Sequence, residues 1–224
     1  MLTLVKTNDG SLTFFNAEVG EHYHSKHGAL QESRHVFLNS GLLYFLSQNP
    51  EPVGNIHILE AGFGTGLNFL LSADFCSANK INLDYTGIEA YPLSDNMIKQ
   101  TGYNTYISED LWNTFTEKYP YSLKQEVPLN GNCQLQIAHC KLLEFSSTKQ
   151  FNIVYFDAFA AVHQPEMWEY ESINHICSFL KPGGVFVTYA ITGNLKRIMK
   201  SIGFAIEKAP GAPGKREMLR AVKY

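Results

Sequence analysis

A doubly wound α/β fold built on a mostly parallel sheet is predicted by three features of the chain. Short, almost continuously apolar runs recur at 55–60, 83–88, 133–138, 151–156 and 184–190, with helix-compatible stretches between most of them. Such runs suit strands buried on both faces. The first leads straight into Glu60-Ala61-Gly62-Phe63-Gly64-Thr65-Gly66 and then Leu67-Asn68-Phe69-Leu70-Leu71, so a strand, a glycine turn and a helix follow in succession. The chain closes differently. Gly203 to Glu207, a Gly- and Pro-rich loop from Ala209 to Gly214, and Glu217 to Val222 read as an antiparallel hairpin.

Taken in order, residues 1–16 read as a hairpin. Leu2 and Leu4 alternate with polar residues, Asn8-Asp9-Gly10 supplies the turn, and Leu12 and Phe14 resume the alternation. A polar stretch from Glu18 to Ser33 follows. Val36, Phe37, Leu42, Leu43, Phe45 and Leu46 suit a helix from about Leu30 to Gln48, with Asn39-Ser40-Gly41 as a point where it could break. Pro50 and Pro52 end this part. The expected organisation is therefore an N-terminal extension over 1–52 and one α/β domain over 53–224.

The 224 residues, 45% of them apolar, suffice for one core and are too few for two comfortable domains. No run of about 18 apolar residues and no signal-type opening occurs, so a cytoplasmic protein without a membrane partner is expected. Cys76, Cys133, Cys140 and Cys177 form no C-x-x-C pair, which argues against a disulfide framework or zinc knuckle and for small buried apolar residues. The formal charge of −3 hides an asymmetry: Lys181 to Tyr224 holds nine basic and two acidic residues, a net +7 that leaves −10 elsewhere. That tail suits a polyanion, or is simply a solvated basic helix and hairpin. Lys196, Arg197 and Lys200 share one helical face by spacing.

Ligands bind such sheets beyond the carboxyl ends of the strands, where strand order reverses, so the residue ending each strand is a site candidate. Glu60, Glu89, His139 and Asp157 occupy such positions. The alternative for each is to cap the helix that follows. Glycine spacing narrows the ligand. A dinucleotide G-x-G-x-x-G would place its third glycine at position 67, where this chain has Leu67. The G-x-G-x-G form, with acidic Glu89 closing the second strand, is similar to the first two motifs of S-adenosylmethionine-dependent methyltransferases.

A sharper resemblance follows from Glu60-Ala-Gly-Phe-Gly-Thr-Gly-Leu-Asn-Phe-Leu71, Asp157-Ala-Phe-Ala160, Pro165-Glu-Met-Trp168 and Gly214-Lys-Arg-Glu-Met-Leu219, in that order. Over nearly its whole length, including Tyr23 to Leu38, the chain resembles the methyltransferase domain of the MnmC family. The resemblance implies a Rossmann-like class I methyltransferase fold with a seven-stranded sheet, and S-adenosylmethionine as cofactor. It also implies methyl transfer to the amine of 5-aminomethyl-2-thiouridine at the tRNA wobble position, making the anticodon stem-loop of tRNA the partner.

It carries cofactor contacts onto Glu60, Gly62, Phe63, Gly64, Thr65, Gly66, Asn68, Glu89, His139, Cys140 and Asp157. Asp157 and Phe159 take the catalytic positions, and Met167, Trp168, Lys215 and Arg216 the substrate-binding ones. Fused relatives carry a flavin-dependent oxidoreductase domain that first removes a carboxymethyl group. This chain stops at Tyr224, so no flavin is expected, and another enzyme is expected to supply the aminomethyl substrate. His139-Cys140 stands where methyltransferases often have an acidic acceptor for the adenine amino group; a backbone carbonyl or the His139 ring would serve instead.

Methyl transfer from a sulfonium is an in-line displacement, so the protein must hold a neutral nitrogen about 3 Å from the methyl carbon and exclude water. Glu89 is expected to accept both ribose hydroxyls, and Glu60 to orient the glycine loop or approach the cofactor's amino group. Asp157 is read as a group that orients the acceptor amine and passes on a proton. Phe159, Met167 and Trp168 would desolvate the amine or stack on the flipped base, or else pack the core. Glu32 and Arg34 are assigned to a segment closing over the cofactor. His22, His24, His27 and His35 lack a completing cysteine or carboxylate set, so no metal is expected. Lys215 and Arg216 are expected on tRNA phosphates. The competing readings are a small-molecule N-methyltransferase or aminopropyl transferase on the same fold, and a non-catalytic RNA-binding partner protein.

Overall fold

The computed structural model describes residues 1–50 and 54–224, so the expected boundary at residues 52 and 53 lies outside the described residues. β1 (Leu2–Lys6) and β2 (Leu12–Asn16) form the expected hairpin, and a short β3 (Glu21–His22) pairs with β2. Asp9 organises the turn. Its carboxylate accepts from Thr7 Oγ1 and from the Ser11 backbone N–H, and reaches across to the Gln31 N–H at 3.0 Å.

The helix expected from Leu30 to Gln48 runs as α1 (Ala29–Ser33), a wide π-helical stretch over Arg34–Leu43, and α2 (Tyr44–Gln48). Asn39-Ser40-Gly41 widens it without breaking it. Ser40 Oγ donates to the His35 carbonyl at 2.9 Å, a bond spanning five residues that suits the wide turn. Gly41 is pressed onto the sheet so closely that a Cβ there would lie 2.7 Å from Tyr155 Cε1.

The main sheet holds β4 (Ile56–Ala61), β5 (Leu83–Ile88), β6 (Val127–Asn130), β7 (Cys133–Ala138), β8 (Phe151–Phe156), β9 (Leu180–Thr188), β10 (Phe204–Pro210) and β11 (Glu217–Lys223). Its order is β10-β11-β9-β8-β4-β5-β7-β6. Seven of these strands were expected, and the sheet has eight. The addition, β6, is four residues long and carries Pro128, which cannot donate to a ladder and so fits only an edge. β9 starts earlier than expected and ends at Thr188, which releases Tyr189 and Ala190 from the ladder.

β4 pairs in parallel with β5 on one side and β8 on the other. The chain leaves β4 outward through β5 and β7 and then returns to β8, so a crevice opens between the carboxyl ends of β4 and β8. Helices α3 (Leu67–Ala78), α4 (Asp95–Gln100) and α5 (Glu109–Ser122) follow the first strands; α6 (Tyr170–Ser178) and α7 (Gly193–Ser201) follow the later ones. Phe69, Phe115 and Tyr155 centre one core, while Phe156, Ile173, Leu195 and Met199 centre a second. Phe14, Val36, Phe37, Leu42 and Phe45 of the extension belong to the first, so the extension shares its core with the sheet. Among the described residues, no helix is long and apolar enough to cross a membrane.

Candidate active site

A cleft of about 1270 Å³ opens at the carboxyl ends of β4, β5, β7 and β8. Its floor is the glycine turn, where Gly62, Gly64 and Gly66 hold φ of 83°, 53° and 79°. Only glycine adopts these angles without strain. A Cβ on Gly62 would run into the Asp157 carbonyl oxygen, so the missing side chain lets the exits of β4 and β8 touch. Gly62 and Phe63 both donate their N–H groups to the Ile88 carbonyl, at 3.0 and 3.2 Å, tying the turn to β5. Glu89, just past β5, accepts the Gly64 N–H at 2.8 Å on one oxygen and the Tyr91 N–H at 2.9 Å on the other. Burial pushes its carboxyl above the usual range, and those two bonds oppose the shift.

On the opposite side, the amide of Asn68 joins two carboxylates. Its Nδ2 donates to Glu60 Oε1 and to Asp157 Oδ2, each at 2.8 Å. Tyr85 OH donates to the other Glu60 oxygen at 2.8 Å. Burial and the charge of Asp157 push Glu60 well above the carboxylate range. Asp157 is pushed up to about 8, first by loss of water and then by the like charge of Glu32, against the opposing pull of Asn68 and Lys215. At neutral pH the pair therefore carries less than two full charges.

Of the expected site residues, Gly62, Phe63, Gly64, Thr65, Asn68, Glu89, Cys140, Asp157, Phe159, Met167 and Lys215 line this cleft. Five others stand off it. Glu60 is fully buried behind the wall, with both oxygens bonded within the protein. Gly66 starts α3 in a left-handed conformation and faces Phe63 and Phe115. His139 and Arg216 are exposed outside the lining. Trp168 packs edge-on against Phe156 at 5.1 Å and gives its indole N–H to the Phe159 carbonyl at 2.7 Å, which braces the Asp157-Ala-Phe159 segment.

Lys215, expected on tRNA phosphates, has partners within the chain. Its ammonium pairs with Glu32 at 2.7 Å and sits 3.8 Å from the centre of the Tyr189 ring. Glu32 meets Lys215 from α1 and is not among the lining residues. The histidines are dispersed: His24 Nδ1 bonds Thr13 Oγ1 at 2.9 Å, and His35 Nε2 bonds the Pro210 carbonyl at 2.7 Å.

Sequence reading missed several wall residues. Tyr23 lies against Gly64 and Phe159, and Glu21 accepts the Ala160 N–H at 2.8 Å. Tyr189 donates its hydroxyl to the Ala158 carbonyl at 2.9 Å. Two signals were available: Tyr23 opens the resembling stretch Tyr23 to Leu38, and Tyr189 stands one residue past β9, where the strand-end rule points.

The chain spans about a third of the length of the curated relatives it matches. One is the tRNA 5-methylaminomethyl-2-thiouridine biosynthesis bifunctional protein MnmC of Acinetobacter baylyi, 30% identical over an alignment of 216 residues that covers 92% of this chain and 35% of that protein. Among solved structures, MNMC2 from Aquifex aeolicus superposes with a TM-score of 0.77 at 19% identity, over 99% of this chain and 70% of the other. The magnesium protoporphyrin IX methyltransferase of Synechocystis, solved with bound SAH, superposes at 0.52 with 14% identity over 88% of this chain and 85% of that one. Both support the fold. A family described as S-adenosyl-L-methionine-dependent methyltransferase matches residues 106–224, more than half of the sequence, and the chain belongs to that family.

Proposed function

We propose that this chain transfers a methyl group from S-adenosylmethionine to the primary amine of 5-aminomethyl-(2-thio)uridine at the tRNA wobble position, forming 5-methylaminomethyl-(2-thio)uridine. The observation that carries this reading is the charge at the Asp157 end of the cleft. Asp157 feels the like charges of Glu32 and Glu21, while Lys215 is the cation that opposes them. Such a field favours a cationic amine.

The residues present fit the cofactor. The glycine turn lets backbone approach a ligand closely, and each Glu89 oxygen, holding one backbone N–H, keeps a lone pair for a ribose hydroxyl. The cleft exceeds the ~300–1,000 Å³ of a pocket for one drug-sized ligand, so it has room for an acceptor as well. S-adenosylmethionine supplies an electrophilic methyl group on a sulfonium. Everything else falls to the protein.

An alkyl amine of pKa around 10 is only about 0.1% neutral at pH 7 and must lose a proton before it attacks. With Asp157 at about 8, moving that proton onto the carboxylate spans about two pKa units, roughly 3 kcal/mol. An ordinary aspartate would leave about six units, roughly 8 kcal/mol. The surroundings that raise Asp157 thus strengthen its ionised form as an acceptor for this proton, and since that form predominates only above about pH 8, transfer is expected to rise with pH up to that value. Phe159 and Met167 would keep the amine dry.

Lys196, Arg197, Lys200 and Arg216 are our choice for the phosphate-contacting surface. A separate enzyme would supply the aminomethyl nucleoside, and the reaction is placed in the cytoplasm. Residues 1–52 and 53–224 are treated as extension and catalytic domain working as one unit. The test is transfer from radiolabelled S-adenosylmethionine to tRNA carrying the aminomethyl nucleoside, with unmodified tRNA and small amines as controls. Label confined to 5-methylaminomethyluridine is expected. Label only in small amines would overturn the tRNA assignment, and no transfer despite cofactor binding would overturn the activity.

A further inference from the structure

One aromatic side chain supplied by the N-terminal extension lines the cleft against both the glycine turn and Phe159. Tyr23 directly follows β3, and its backbone N–H donates to the Phe14 carbonyl at 2.9 Å, so the small sheet fixes its position. One side of its ring lies on the glycine turn: a Cβ built on Gly64 would be 3.0 Å from Cδ1 and 3.4 Å from Cε1. It also meets Phe159 edge to face, with ring centroids 5.2 Å apart and planes at 72°. The same ring therefore touches the turn that faces the cofactor and the segment that carries Asp157. Burial and the charge of Glu89 push its phenol up, so the hydroxyl stays neutral.

A methyl group passing from a cofactor seated on the glycine turn to an acceptor at Asp157 would cross this junction. We propose that Tyr23, with Phe159, forms an aromatic box around the sulfonium of S-adenosylmethionine and distinguishes the charged methyl donor from its neutral demethylated product. The face of an aromatic ring attracts a cation, an effect of about 2- to 30-fold in affinity depending on how dry the site is. The attraction is present with the sulfonium and vanishes once the methyl group has left. It therefore favours donor binding and product release, and acts on the binding ratio more than on the chemical step.

The test is calorimetric binding of S-adenosylmethionine and S-adenosylhomocysteine to the whole chain, with folding checked by thermal melting. The box rests on the proposed methyl transfer but is read by binding alone, so its failure is distinct from a failure of transfer to tRNA. Tyr23→Leu keeps bulk and removes the π face. It is expected to weaken the donor about 5- to 20-fold relative to the product. Tyr23→Phe should keep the wild-type ratio, and Tyr23→Trp, with the strongest face, should raise it. Should Tyr23→Leu not fold, Phe159→Leu is read the same way. Asp157 is present in every variant, so a change in ratio reports the ring. Equal loss of both ligands, or a ratio indifferent to Leu and Trp at position 23, would reduce Tyr23 to a wall and overturn the proposal.

Discussion

Replacing Asp157 by asparagine is expected to stabilise the protein while abolishing methyl transfer. The sign follows from proton linkage. In the folded chain Asp157 holds its proton up to about pH 8, whereas the unfolded chain releases it near the ordinary aspartate value of 3.8. Between those values the folded state binds more protons than the unfolded one, so the contribution of this group to stability falls as pH rises and levels off above about 8. The full gap corresponds to a ceiling of ~6 kcal/mol at high pH. Asp157 shares its environment with Glu60 through Asn68 and borders an open cleft, so about 2–3 kcal/mol is the working figure at pH 8.5, and under 1 kcal/mol at pH 5. For a chain of this length each kcal/mol moves Tm by about 2–4 °C.

The Asp157→Asn variant should therefore melt about 4–12 °C above wild type at pH 8.5 and less than about 4 °C above it at pH 5. Its amide oxygen can still accept from Asn68. Cofactor affinity should stay within a few-fold, because Glu89 and the glycine turn are untouched. Scanning fluorimetry at the two pH values, with single-turnover methyl transfer, reads all of this. A variant that melts lower than wild type, or a gain that does not grow with pH, would refute the claim that the carboxylate is held uncomfortably for use in catalysis.

The remaining predictions concern the walls and the outer face. Tyr85→Phe removes the hydroxyl that donates to Glu60 and should cost about 1–3 kcal/mol in chemical denaturation, with little change in tRNA affinity. Gly62→Ala should be worse than a simple loss of flexibility, since the new methyl meets the Asp157 carbonyl; destabilisation of at least ~2 kcal/mol and failure to bind cofactor are expected by melting and calorimetry. Charge reversal at Arg197 and Arg216 should weaken tRNA binding and lower the slope of log affinity against log salt by about one for each phosphate no longer neutralised. Lys215→Met should instead change turnover with the salt slope preserved, because its ammonium is engaged with Glu32 and Tyr189.

What was legible in the sequence was whatever repeats locally. The apolar runs marked β4, β5, β7 and β8 almost residue for residue, and the strand-end rule placed Glu89 and Asp157 at the cleft. β6 escaped because an alternating run of only four residues, one of them a proline, is too short to register as a strand. At Glu60 the same rule named a residue that does not line the cleft. Ending a strand does not determine which way a side chain points, and here Tyr85 and Asn68 draw it inward.

The acceptor end was illegible for another reason. Lys215 meets Glu32 across 183 residues, and Glu21 meets Ala160 across 139, so no window of sequence contains either pair. Those contacts join the N-terminal extension to the hairpin loop and to the segment after β8, which makes the extension part of the site's electrostatics. Removing it would take away Glu21, Tyr23 and Glu32 together and leave Lys215 without its partner. The cleft would then lack two of the charges that, with burial, raise Asp157. A sheet of this kind can hold a cofactor without such an extension; what the extension adds here is charge around Asp157.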